Sequence, residues 1–158
     1  MDVALDTNVF YRDPWLRSQA FRLLLDYVHK TQSRFLLSDV VVQEIDAIVR
    51  RNLRHDLYGI EKSLKDAQRH GIADLPIFES MQIEETTYKR WRENFDAVLG
   101  RLVAVRFPVD EKCLPEAVRR AINRVPPCKD TGEGMRDAII WLNLLGYCQK
   151  RLGTYRDY

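Results

Sequence analysis

The chain has 158 residues, of which 46% are hydrophobic and 30% charged, and its formal net charge is +2. That length suits a single domain, residues 1–158, around one core, and that balance excludes intrinsic disorder as the main state. A net charge this small excludes a strong overall field, so any preference for a polyanion must come from local clusters.

Val3 to Leu5 is a short apolar run closed by Asp6 and reads as a buried strand. Asp13-Pro14 then predicts a helix start, with Asp13 as N-cap and Pro14 at the first helical position. Leu16, Ala20, Leu23, Leu24 and Tyr27 give that helix its apolar stripe. Arg34 to Leu37 is a second strand candidate. Ser38 or Asp39 caps the long helix that follows, where Val41, Ile45, Ile48, Val49 and Leu53 keep the helical period until Gly71 stops it. Residues 74–83 contain Pro76 and no period, and read as a connection. Thr87 to Leu99 is helical, with Tyr88, Trp91, Phe95 and Leu99 on one face. Leu102 to Phe107 is a third strand candidate, closed by Pro108. A short helix spans Leu114 to Ile122, Val125-Pro126-Pro127 breaks the chain, and Met135 to Lys150 forms the last helix, apolar nearly all round and therefore expected to be mostly buried. Short apolar strands alternating with helices predict an α/β fold with a parallel sheet.

No stretch approaches the about 20 apolar residues of a bilayer span, and the opening MDVALDTN lacks the basic region of a secretory signal. The three cysteines, Cys113, Cys128 and Cys148, are odd in number and form no CxxC pair, so they read as reduced thiols of a cytoplasmic protein.

Three carboxylates stand where a site would form. Asp6 follows a buried strand, and in open parallel sheets ligands bind beyond the carboxyl ends of strands. Thr7 and Asn8 add a hydroxyl and an amide beside it. Glu44 lies at the edge of the long helix's apolar face, where burying its charge needs compensation. Asp137 occupies the first turn of the last helix. Each also has an ordinary structural role open to it: a turn cap for Asp6, an arginine partner or a snorkelling side chain for Glu44, and a complement to the helix dipole for Asp137. Basic residues cluster at Arg50, Arg51, Arg54 and His55 and again at Arg119, Arg120 and Arg124. Lys129 and Arg136 flank the turn Lys129-Asp130-Thr131-Gly132-Glu133-Gly134, whose backbone suits a phosphate. The histidines, His29, His55 and His70, form no evident triad. Scattered acids without histidine or thiolate suit a hard divalent cation and phosphodiester chemistry.

Asp6-Thr7-Asn8-Val9-Phe10 after an N-terminal strand resembles the opening of PIN domains. The segment Leu37-Ser38-Asp39-Val40-Val41-Val42-Gln43-Glu44-Ile45 is similar to their second strand and acid-bearing helix. Gly134-Met135-Arg136-Asp137-Ala138-Ile139-Ile140-Trp141 is similar to a GxRDAxIW signature of a PIN-like branch. Three such motifs in the right order cover nearly the whole chain. The resemblance implies a three-layer α/β/α sandwich with a short central parallel sheet. It also implies a Mg²⁺- or Mn²⁺-dependent nuclease, usually an endoribonuclease, often the toxin of a toxin–antitoxin pair and often a homodimer. By that pattern Asp6, Glu44 and Asp137 would be catalytic and metal-binding, with Thr7 and Asn8 in support and Arg50, Arg54, Lys129 and Arg136 on the RNA. An antitoxin protein would be a further partner.

Two departures accompany the resemblance. The stretch 52–100 is longer than in minimal PIN domains and suggests an added helical clamp or lid. Family members usually continue past the third acid into another strand and a fourth acid, whereas this sequence reaches Tyr158 without such a strand. Asp130, Glu133 and Asp110 are internal candidates for that acid, and Asp157 sits too near the helix to match. The expectation is a PIN-like chain lacking its C-terminal strand, with a catalytically impaired RNA- or protein-binding module as the alternative function. A phosphatase of the haloacid dehalogenase type would need a DxD motif, and Asn8 stands at its second acid.

Overall fold

A computed structural model describes residues 2–72, 79–102, 104–129, 131 and 133–154, without the side chains of 152–154. In chain order the elements are β1 (Asp2–Ala4), α1 (Thr7–Arg12), α2 (Gln19–Lys30), β2 (Arg34–Ser38), α3 (Asp39–Arg69), α4 (Ser80–Arg101), β3 (Ala104–Phe107), α5 (Leu114–Ile122) and α6 (Met135–Thr154). A single turn of 3₁₀ helix, Glu111–Cys113, leads into α5. The three strands form one parallel sheet in the order β1-β2-β3, with Val3 opposite Phe35 and Leu36 opposite Val105.

Alternation along the central strand sorts the layers. Phe35 and Leu37 point to one face and join a core with Phe10 of α1, Phe21 and Val28 of α2, Val41, Ile45 and Val49 of α3, and Trp91 and Phe95 of α4. Leu36 points the other way, toward α6, where Phe107 stacks on Tyr147 with ring centroids 4.7 Å apart. Helices therefore cover both faces of a short parallel sheet, as the α/β/α reading requires.

The sequence expectations hold for β2, for α5 and for the Ser38 cap of α3, whose hydroxyl accepts the Val40 N–H at 3.3 Å. Gly71 ends α3 at φ +81°, a conformation that costs glycine little. Four expectations need correction. Residues 80–83 belong to α4 and not to a connection, and 74–78 of that expected connection lie outside the described residues. Asp13 does not cap a helix beginning at Pro14; α2 starts at Gln19 with Ser18 as its N-cap. The Asp13 carboxylate instead closes the preceding loop, accepting the N–H groups of Arg17 at 2.9 Å and Ser18 at 2.7 Å. Residues 7–12 are a short helix, not a bare turn. The last helix is not buried all round: Ala138 and Asn143 are buried, but Trp141 is 52% exposed.

The extended stretch 52–100 forms a helical hairpin. Pairs across it run Asp46–Arg92, Arg50–Glu85 and Arg54–Glu84, so α3 and α4 lie antiparallel. Tyr88 donates its hydroxyl to Asp46, and the Arg50 guanidinium lies 3.4 Å from the Tyr88 ring centroid. Burial raises the Tyr88 pKa, and the hydrogen bond to Asp46 adds to that rise. No described helix is long and apolar enough to cross a membrane. Cys113, Cys128 and Cys148 are free thiols.

Candidate metal and nucleic-acid site

Because the strands are parallel, their carboxyl ends share one edge of the sheet, and the chain brings its acids there from three directions. Asp6 leaves β1 and is the N-cap of α1. One of its oxygens accepts the Thr7 N–H at 2.7 Å and the other accepts the Asn8 side-chain amide at 2.8 Å. These bonds fix the carboxylate's orientation while leaving lone pairs on both oxygens. Thr7 turns inward and is buried, and its hydroxyl donates to Glu44 of α3 at 2.8 Å. Glu44, with a side chain only 15% exposed, receives the Arg136 guanidinium on its other oxygen. Asp137 follows Arg136 in the first turn of α6 and is exposed. Asp6 and Asp137 both line an open cleft of about 250 Å³ between the sheet and α6, whose walls include Leu36, Ile140 and Trp141.

The geometry joins two of the acids across that cleft and ties the third to the first through Thr7. Among the described residues no three acids, histidines or cysteines converge closely enough to hold one ion together. Two carboxylates completed by water and substrate phosphate are nonetheless an ordinary Mg²⁺ set, and the donors here are hard oxygens throughout. The hard-oxygen donors that could hold such an ion are Asp6 and Asp137, which line the cleft, whereas Glu44 is engaged by Thr7 and Arg136.

Gly134 sets where α6 begins. Its φ is +93°, and a Cβ there would lie 2.2 Å from the Pro127 carbonyl oxygen. The Ala138 N–H donates to the Gly134 carbonyl at 2.9 Å, and the Lys129 N–H donates to Glu133 at 2.9 Å. The Gly134 backbone is thereby fixed two residues before Arg136 and three before Asp137.

Other sequence candidates have different surroundings. Arg50 and Arg54 are engaged with α4 across the helical hairpin. Lys129 pairs loosely with Glu133 at 3.4 Å on the surface. Asp110 stands at the end of β3, where Lys150 donates to it at 2.6 Å and holds its carboxyl below the usual range. Asp130 and Asp157 lie outside the described residues. The sequence reading overlooked Asn143, which is 2% exposed. Its amide donates to Ser38 and to the Pro108 carbonyl, each at 3.1 Å, and its carbonyl accepts the Asp110 N–H at 2.9 Å. An asparagine amid the apolar residues of a helix is the signal that marks such a clamp.

A parallel α/β/α fold with Asp6 and Asp137 at a cleft by the carboxyl edge of its sheet defines the class of open α/β proteins, which bind ligands at that edge. Within that class the chain belongs to the PIN domain family, whose model matches residues 3–154. PIN domains are generally nucleases that use divalent metals, and they commonly bind nucleic acids. No curated protein and no solved structure matches the chain.

Proposed function

We propose that the chain is a divalent-metal-dependent nuclease that hydrolyses phosphodiester bonds of RNA internally. The observation that carries this reading is the pairing of Asp6 and Asp137 in one open cleft, with Glu44 linked to the first of them through Thr7. Asp6 and Asp137 would hold Mg²⁺ or Mn²⁺, with Glu44 completing the set. Such an ion, when bound, polarises a phosphoryl oxygen and lowers the pKa of a bound water.

The chain's own residues do the positioning. The Thr7 N–H and Asn8 amide orient Asp6, and the Thr7 hydroxyl orients Glu44. Arg136 neutralises Glu44 until an ion does so, and its exposed guanidinium is then within the same turn of α6 as Asp137, placed for a substrate phosphate. Lys129 adds positive charge on the adjoining turn. Arg50 and Arg54 would reach RNA only by leaving their partners on α4, so their contribution is the smaller one. The resemblance extends the reading to a toxin with an antitoxin partner, which co-purification with a neighbouring gene product would reveal.

One observation favours the second reading, a catalytically impaired RNA- or protein-binding module: Glu44 is already satisfied by Thr7 and Arg136. RNA incubated with Mn²⁺ or Mg²⁺, beside an Asp6→Asn variant and an EDTA control, separates the two. Cleavage lost in both controls is expected. Cleavage that survives Asp6→Asn refutes the assignment, and retained RNA binding without any cleavage favours the module.

A further inference from the structure

Helix α3 carries six arginines and lysines. Four of them are paired: Arg50 with Asp46 and Glu85, Arg54 with Glu84, Lys65 with Glu61, and Arg69 with Asp66. The other two, Arg51 and Lys62, are exposed, and among the described residues neither has an ion pair or a side-chain hydrogen bond. Both stand in line with Glu44. At about 3.6 residues per turn, Arg51 comes about two turns after Glu44 and Lys62 about five, each within roughly 20° of the same direction. His55 and Tyr58 fall between them within about 40° of that line. Both are exposed, Tyr58 by 69%. Asp56, without an ion pair among the described residues, stands about 120° round the helix from it. The residues that meet α4, Asp46, Arg50 and Arg54, lie on another side.

We propose that this outer face of α3, formed by Arg51, His55, Tyr58 and Lys62, is a second RNA-binding site, a track along which the RNA leaves the acid site. This rests on the nuclease reading above and assigns the surface that grips the substrate away from the reacting phosphate. Glu44 itself is covered by Thr7 and Arg136, and the line emerges at Arg51. A helix rises about 1.5 Å per residue, so Arg51 lies about 10 Å and Lys62 about 27 Å beyond Glu44 along the axis. That length takes several consecutive phosphates. Arg51 and Lys62 lose no ion pair on meeting a phosphate, whereas Arg50 and Arg54 would have to break theirs. Between the two cations the rings of His55 and Tyr58 offer π faces to bases, and charge combined with stacking is what nucleic-acid grooves use. The face is open between His55 and Lys62, because Gly59 has no side chain and a Cβ there would meet nothing within 4 Å. An acidic protein segment would satisfy the two cations but leave both rings without a stacking partner, so the face favours a nucleic acid.

The test measures the anisotropy of an end-labelled RNA across a series of KCl concentrations, in EDTA so that cleavage does not interfere. Arg51→Gln and Lys62→Gln are each expected to weaken binding roughly three- to tenfold, the share of one contact when about six to ten phosphate contacts supply non-specific affinity. Each should also flatten the slope of log affinity against log salt by about one, and the double variant by about two. Tyr58→Ala should weaken binding at an unchanged slope, and Tyr58→Phe should bind as the wild type does. Lys89→Gln removes the same charge from an exposed position on α4 and should change neither affinity nor slope. Mn²⁺ affinity, read by calorimetry, should be equal in the double variant and the wild type. Circular dichroism checks that these exposed helix positions tolerate the changes. Equal losses in Lys89→Gln would show a response to overall charge and overturn the proposal. A shift in Mn²⁺ affinity would place the effect at the acids and overturn it too. So would displacement of the RNA by polyglutamate as readily as by unlabelled RNA, which marks a site for acidic protein. If Arg51→Gln and Lys62→Gln bind like the wild type while cleavage still needs metal and Asp6, this inference falls and the nuclease reading stands. If the slopes flatten but no metal supports cleavage, the nuclease reading falls and the face remains an RNA-binding one. Absence of RNA binding in every form would remove both.

Discussion

Replacing Gly134 by alanine tests the link between backbone conformation and site. The new Cβ would sit 2.2 Å from the Pro127 oxygen, 2.7 Å from the Pro127 carbonyl carbon and 3.0 Å from the Cys128 Cα. All three are backbone atoms, so no side-chain rotation relieves them. The positive φ adds about 1–2 kcal/mol for a residue with a Cβ. Forcing extra volume into a packed turn adds roughly 1–3 kcal/mol. A combined loss of about 3 kcal/mol is the central expectation, which for a chain of this size lowers Tm by about 6–12 °C. Gly146 supplies the control. It lies inside α6, and a Cβ there meets nothing within 4 Å. Gly146→Ala should therefore stabilise by about 0.5–1 kcal/mol, the ordinary gain of alanine in a helix. Both substitutions restrict the unfolded chain alike, so the difference between them isolates the native state. Thermal unfolding followed by circular dichroism measures both. If the two variants move Tm in the same direction by similar amounts, the reasoning about the turn is wrong. Because Gly134 immediately precedes the segment bearing Arg136 and Asp137, the Gly134 variant should also lose Mn²⁺ affinity, whereas the Gly146 variant should keep it.

Thr7→Val keeps the buried shape but removes the donor to Glu44, and is expected to cost about 1.5–3 kcal/mol, because that bond reaches a charged acceptor. Urea unfolding should show a lower midpoint at unchanged slope, and Thr7→Ser should restore it. Asn143→Leu strips partners from Ser38, the Pro108 carbonyl and the Asp110 N–H together, and should destabilise by about 2–4 kcal/mol in the same assay. Glu116 is held by Arg119 and then Arg120, which draw its carboxyl down to about 2. A carboxyl lowered on folding favours the folded state above its unfolded value of 4.5 and loses that contribution as pH falls through about 2. Carboxyl chemical shifts across that window should show the low midpoint, and Arg119→Ala should raise it.

Much of this protein was legible in local chemistry. Alternating apolar strands and periodic helices specified an α/β chain, since strand and helix periods are properties of consecutive residues. The Ser38 cap, the Pro115 entry to α5 and the Gly71 stop are likewise local. Where the local signal was ambiguous it misled: Asp13-Pro14 has good helix-start chemistry, yet its carboxylate closes a loop and Ser18 takes the cap.

The site divides the same way. Asp6, Glu44 and Asp137 could be nominated from strand ends and helix edges, because those positions follow from the order of elements. That Thr7 would reach Glu44, and that Arg136 would neutralise it, depends on α1, α3 and α6 meeting at one edge of the sheet. Glu44 and Arg136 are 92 residues apart, and no spacing rule connects them. The exposure of Trp141 was hidden for the same reason. Sequence gives the last helix apolar residues on every side, while packing buries Ala138 and leaves Trp141 exposed. The sequence by itself determined the elements and the identity of the acids. Only the tertiary structure decided which acids share a cleft, which are already paired, and which aromatic ring faces them, because those are contacts between surfaces brought together by packing.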